Sequence, residues 1–159
     1  MKFAARGLLG IFCMVLSASA AEARPEKNGF GFGVSHIGRD QIPQLSVAWK
    51  NSQTTTLEGH SGFSTAAGAT HFEVGAQFDR NLFIEENQDF YFYLGGSLNS
   101  HDNAGVSSSG YSLETGAGSE IFLPGLPNFG LNFSGGFALA SGGGTSLQTR
   151  VAFGMHYYF

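Results

Sequence analysis

The chain has 159 residues, of which 13% are charged and 42% hydrophobic, and its formal net charge is −4. This length predicts a single domain, and the acidic balance excludes a basic nucleic-acid-binding protein. The one cysteine, Cys13, has no partner, which excludes a disulfide scaffold. Instead the composition is marked by 24 Gly and 16 Phe, whereas Gly makes up about 7% of an average protein.

The first twenty residues have the pattern of a secretory signal peptide. A positively charged head precedes an apolar stretch at 7–16, and small residues follow it. This apolar stretch is too short for a membrane-spanning helix. We therefore predict that residues 1–20 direct export, with cleavage after Ala20 or Ala23. A short segment at 21–28 then precedes one domain at 29–159.

From residue 29 onward, apolar and polar residues alternate with a period of two, which is typical of β-strands with two unlike faces. Phe30, Phe32 and Val34, for example, alternate with Gly and Ser. Turn-forming residues divide the chain into eight such segments, of which the third, at 54–64, has the weakest pattern. At one end of the predicted strands we expect connections at 38–43, 65–69, 100–109 and 140–146.

The two faces of these segments differ in a way that predicts the environment. One face is apolar and rich in Phe, which suits lipid, and the other consists mostly of Gly, Ser and Ala, which suit a narrow lumen. Strands cross hydrocarbon only as a closed barrel, because every backbone group must be paired. Eight strands leave an interior just wide enough for side chains. The predicted fold class is therefore all-β, an eight-stranded antiparallel up-and-down transmembrane β-barrel.

The last nine residues carry the most specific signal. Apolar and aromatic residues stand at every second position to the end of the chain: Val151, Phe153, Met155, Tyr157 and Phe159. This pattern resembles the terminal strand of bacterial outer-membrane β-barrels, where it is the signal read by the barrel-assembly machinery. By size and strand number the chain resembles the eight-stranded OmpA- and OmpX-type transmembrane barrels. The resemblance implies a location in the outer membrane of a Gram-negative bacterium, with both chain termini in the periplasm.

Further aromatic residues gather near the expected periplasmic ends of the strands. Together with the C-terminal aromatics, they are predicted to form a girdle at the membrane interface: Trp49, Phe78, Phe83 and Phe129. In the alternative, a soluble periplasmic β-barrel that binds an apolar ligand, such aromatics would form the core. The direction of Phe92, Phe133 and Phe153, into the barrel or out of it, distinguishes the two.

The charged residues on the inward faces form two groups. Arg150, Glu114 and Glu73 are expected at one height, and Lys50, Glu120, Glu58 and His156 nearer the periplasm. A lone charge in a narrow lumen is costly, so we expect ion pairs, with Arg150 paired to Glu114 or Glu73. Such pairs form either a structural plug or a gate in a proton-coupled pore. With four carboxylates to two bases, a water path would favour cations.

A lipid-A-modifying outer-membrane enzyme is a further alternative, because Ser97, Ser100, His101 and Asp102 resemble parts of a hydrolase site. Barrels that deacylate lipid A carry a lipid-facing His-x-Ser-Asn motif, and this order is missing here. The segment also falls in the connection expected at 100–109. The five histidines lack metal-ligand spacing, so no metal site or cofactor is predicted.

We therefore predict a non-catalytic outer-membrane barrel with a structural or narrow-pore, cation-leaning role. Its expected partners are outer-membrane lipid and, during biogenesis, the assembly machinery. We expect a monomer, and no nucleic acid as a partner.

Overall fold

In a computed structural model, eight strands form a closed barrel within the part of the chain that the structure describes, residues 29–35, 42–66, 68–103, 105–142 and 144–159. The predicted signal peptide at 1–20 and the segment at 21–28 lie outside these residues. The strands are β1 (Phe30–Ser35), β2 (Gln44–Ser52), β3 (Thr55–Ala66), β4 (Ala69–Ile84), β5 (Gln88–Asn103), β6 (Val106–Leu123), β7 (Leu126–Ser141) and β8 (Thr145–Tyr158). Within the described ranges, no helix has the length and hydropathy to cross a membrane.

Each strand pairs in antiparallel fashion with its neighbours in sequence, and β8 pairs with β1 to close the ring. At the closure, Gly31 pairs with Ala48 of β2 on one side and with Tyr158 of β8 on the other. The predicted eight-stranded antiparallel up-and-down architecture is confirmed. We call the end at which β1 begins and β8 ends the terminal end, and the other the far end.

The barrel carries its apolar face outside. Phe92, Phe133 and Phe153 are 46%, 46% and 43% exposed. Tyr91 and Tyr93, on either side of Phe92 in the chain, are buried in the lumen. A soluble barrel with an apolar ligand would need the opposite arrangement, with phenylalanines inside. The interior therefore lacks the apolar lining that the soluble alternative requires, because the alternation turns mostly polar and small residues inward.

The hairpins at the far end are tighter than the sequence predicts. The segment expected as a connection at 100–109 is mostly strand, because Ser100 pairs with Ser109 and the ladder continues to Asn103 and Val106. Gly105 turns the hairpin with φ of 84°, a conformation that glycine adopts without strain. The prediction was wrong because its Ser, Asn and Gly residues favour turns, whereas cross-strand pairing overrides this local preference. Residues 36–41, which include most of the connection expected at 38–43, lie outside the described residues.

Glycines on the inward face provide room for the aromatic side chains of the lumen. A Cβ atom at Gly31 would lie 2.7 Å from Cε1 of Tyr158, and one at Gly116 would lie 2.8 Å from Cε1 of Tyr93. Each ring therefore packs against a glycine of a neighbouring strand, where the methyl group of an alanine would clash with it. The abundance of glycine thus allows an eight-stranded barrel to hold large polar side chains inside.

Candidate functional site

The lumen is lined by charged and polar side chains that β-alternation turns inward. The six residues predicted to line it all point into it, five of them buried and Arg150 half-buried: Lys50, Glu58, Glu73, Glu114, Glu120 and Arg150. Ion pairs join Arg150 to Glu114 toward one end of the barrel and Lys50 to Glu120 toward the other.

Toward the far end, Arg150 of β8 pairs with Glu114 of β6, with 2.5 Å between Nη1 and Oε1. Glu114 also accepts a hydrogen bond from the Ser112 hydroxyl, at 2.8 Å. Of the two carboxylates predicted to meet Arg150, Glu114 is thus in direct contact. Glu73 is fully buried on β4, where it pairs in register with Asn99 of β5.

At the terminal end, five side chains fill the lumen, and we call them the terminal plug: Lys50, Asp89, Glu120, Phe122 and Tyr158. The Lys50 ammonium lies 2.8 Å from Glu120 Oε2 and 3.9 Å from Asp89 Oδ2. It also lies 4.5 Å and 4.3 Å from the ring centres of Phe122 and Tyr158, which is cation–π distance. The Tyr158 hydroxyl donates a hydrogen bond to Glu120 Oε1 at 2.6 Å. The plug therefore ties β2, β5, β6 and β8 together across the lumen.

Sequence reasoning missed two members of the inward-facing set, Asp79 and Asp89, which are 5% and 4% exposed. The alternation could have identified both, since each directly adjoins an outward phenylalanine, Phe78 or Phe90. The described inward-facing carboxylates thus number six against two bases, not four against two. This correction makes the lumen more acidic than predicted.

A serine and a histidine meet beside the plug. Nε2 of His156 lies 2.7 Å from Oγ of Ser46 and 3.7 Å from Oε1 of Glu58, and its Nδ1 lies 4.0 Å from Oε1 of Glu120. A serine, a histidine and a carboxylate are also the components of a hydrolase triad. However, Ser46 and His156 are only 1% and 2% exposed, and both lie inside the lumen, away from the apolar outer face. Because the pair is separated by 110 residues, spacing in the sequence gave no indication of it.

The structure does not assemble the residues considered for a lipid hydrolase. Ser97 points into the lumen, whereas Ser100, three residues on, lies on the outer face. The His101 ring packs edge-on against His71, with 5.5 Å between centroids. Asp102 accepts hydrogen bonds from the Gly105 amide and the Ser107 hydroxyl, at 3.3 Å and 3.0 Å, so its carboxylate stabilises the β5–β6 hairpin.

Within the part of the chain that the structure describes, no three His, Cys, Asp or Glu residues form a group that could hold a metal ion.

The predicted girdle residues lie on the outer face near the terminal end. Trp49 stacks on Phe30 with 6.2 Å between centroids, and Phe129 pairs in register with Tyr157. The remaining residues of the predicted girdle and assembly signal are exposed or half-exposed: Phe78, Phe83, Val151, Phe153, Met155 and Phe159. The outer face near the terminal end therefore carries a band of aromatic side chains.

No protein-family model and no curated protein matches the chain. Among solved structures, it is similar to one described as "De novo design of transmembrane beta-barrels", with 18% identity and a TM-score of 0.42, over 87% of this chain and 100% of the other. It is also similar to Ail, the attachment invasion locus protein of Yersinia pestis, with 19% identity and a TM-score of 0.43, over 83% of this chain and 95% of that one. At these levels of similarity, the fold is established by the strand pairing of the chain itself.

Proposed function

We propose that this chain is an outer-membrane β-barrel protein of a Gram-negative bacterium, exported by the segment at 1–20 and held by lipid around its strands. The observation that carries the proposal is the apolar outer face, on which Leu94, Leu98 and Val151 are 60%, 64% and 79% exposed. Soluble monomers rarely expose continuous apolar surface of this kind. Hydrocarbon accommodates it, provided that the backbone is paired as it is in a closed barrel.

In the orientation of the OmpA- and OmpX-type barrels that the chain resembles, the terminal end of the barrel and its plug face the periplasm. The role we propose is structural and non-catalytic, with the lumen closed at its periplasmic end. In support, the plug residues Phe122 and Tyr158 are each 2% exposed, and Lys50 is bound to Glu120 between them. The Ser46–His156 contact lies within this closed region, which argues against its use in catalysis on lipid.

A narrow cation-leaning pore is the second candidate function. The acidic excess in the lumen favours it, because carboxylates without neighbouring bases attract cations and repel anions. In this second candidate function, displacement of the terminal plug opens a water-filled path for cations through the lumen. The structural role is the better supported of the two, since a polar lumen is general among barrels of this type.

Cell fractionation tests the proposed location. The mature protein should be recovered in the outer-membrane fraction, and it should migrate differently on gels with and without boiling, because a closed barrel resists detergent. As a control, the chain expressed without residues 1–20 should not reach the outer membrane. Recovery from the periplasm without detergent would contradict the proposal.

A further inference from the structure

We propose that the lumen contains a binding site for a monovalent metal cation, with the Glu58 carboxylate as its charged ligand. A cavity lies between the terminal plug and the Arg150–Glu114 pair, and on β8 its lining residues Ala152 and Gly154 fall between Arg150 and Tyr158. The polar side chains that line this cavity come from β1, β3, β4, β7 and β8: Ser35, Glu58, Gln77, Asn132, Ser134 and His156.

Buried oxygen atoms that face this cavity lack protein partners. Glu58 is 2% exposed and Ser35 3%, and neither Glu58 Oε1 nor Ser35 Oγ has a hydrogen-bond partner among the described residues. Gln77 uses its amide nitrogen to donate to Asp79 at 2.7 Å, so its amide oxygen stays available as a ligand. Buried polar atoms are costly without a partner, and these oxygens together provide the ligand type that alkali cations require.

The charge around the cavity favours a cation over any other small ligand. In this half of the lumen, four buried carboxylates face one ammonium group, that of Lys50: Glu58, Asp79, Asp89 and Glu120. His156 is the basic group nearest to Glu58 in the described structure, at 3.7 Å, and its Nε2 is in contact with Ser46. Uncompensated carboxylates in a medium of low dielectric constant are strongly unfavourable, and a bound cation offsets this cost.

The ligand set selects a monovalent ion. Ca²⁺ takes six to eight oxygen ligands, several of them carboxylates, and transition metals prefer imidazole or thiolate. The cavity offers one carboxylate, Glu58, one imidazole, His156, whose Nε2 is in contact with Ser46, and otherwise hydroxyl and amide oxygens. A single carboxylate and a single imidazole are too few for Ca²⁺ or a transition metal, so Na⁺ or K⁺ fits the charge of the cavity. This site does not rest on the proposed membrane location or on conduction, since a cation could occupy it in a closed barrel.

The test uses the full barrel folded in a zwitterionic detergent. Urea unfolding is measured in NaCl, in KCl and in the chloride of N-methylglucamine, which is too large to enter, at equal ionic strength. Because a ligand bound to the folded state stabilises it by mass action, the urea midpoint should rise with the logarithm of Na⁺ or K⁺ concentration and stay flat in N-methylglucamine. The sodium NMR line of the wild type should broaden in parallel.

Matched variants assign the effect to the cavity. Glu58→Gln should abolish the cation dependence, whereas Glu73→Gln, which removes a buried carboxylate outside the cavity, should retain it. If Glu58→Gln does not fold, Ser35→Ala tests the cation site in its place. Ser35→Ala should lower the cation affinity several-fold, whereas the control Ser97→Ala should leave it unchanged. If the urea midpoint of the wild type is the same in all three chlorides, the proposal is overturned and Glu58 is protonated instead. A cation response that persists in both Glu58→Gln and Ser35→Ala would also overturn it. Fractionation tests the proposed location separately, so the two proposals can fail independently.

Discussion

Arg150 on β8 forms its ion pair with Glu114 on β6 across the intervening strand β7, with 2.5 Å between Nη1 and Oε1. At this crossing β7 presents Gly136, paired with Arg150, and Ala138, paired with Glu114. These small residues leave room for the two long side chains to meet above β7. The contact therefore depends on the small side chains of β7 as well as on the two charges.

Replacement of Arg150 by Met should destabilise the barrel, because it leaves Glu114 buried without its counter-charge. The expected loss is about 3–5 kcal/mol in the free energy of unfolding if the site is dry, and less if water enters. In the double variant Arg150→Met/Glu114→Gln, much of this loss should disappear. A double-mutant cycle measured by urea unfolding gives the coupling.

The control for this cycle is Arg80→Met, since Arg80 is exposed on the outer face and donates a hydrogen bond to Thr54. That substitution should show no coupling to Glu114→Gln. Simple additivity of Arg150→Met and Glu114→Gln would contradict the interpretation.

Substitution of Gly31 by Ala should destabilise the barrel by about 1–3 kcal/mol, as overpacking does elsewhere. The added methyl group would lie 2.7 Å from the Tyr158 ring and would push it away from Glu120. Gly59→Ala is the matched control, since a Cβ there meets no atom within 4 Å, and its effect should stay within about 0.5 kcal/mol. Equal effects of the two substitutions on the urea midpoint would show that Gly31 does not act through Tyr158.

Replacement of Lys50 by Met should open the periplasmic end of the lumen and raise conductance in planar bilayers. Lys50 links Glu120 and Asp89, and without it these carboxylates repel each other. Any current through the variant should carry cations in preference to anions, measured as a reversal potential in a salt gradient. Arg150→Met, away from the plug, serves as the comparison. If the Lys50→Met variant conducts no more than the wild type, a purely structural role is favoured.

Expression of the protein in cells should leave the acyl chains of lipid A unchanged when they are measured by mass spectrometry. The reason is that Ser46 and His156 are sealed in the lumen, and Asp102 is occupied in its hairpin. If an acyl chain is lost, the non-catalytic role is wrong. Ser46→Ala and Ser97→Ala would then identify the serine responsible.

The sequence by itself determined which side chains share a face of each strand. Phe92, Phe133 and Phe153 face out, and Glu114 and Arg150 face in, as the alternation predicts. The physical reason is local: successive residues of a strand point to opposite faces, whatever the rest of the chain does. The same rule places Asp79 and Asp89 on the inward face, next to Phe78 and Phe90 on the outer one.

Only the tertiary structure decided which inward side chains meet. Ser46 contacts His156 on a strand far along the chain, and Arg150 reaches Glu114 across β7. Such contacts depend on how far each strand is displaced along its neighbour around the closed ring, because this displacement sets the height of every residue in the lumen. The displacement results from the pairing of all eight strands together, and no single segment of the sequence encodes it.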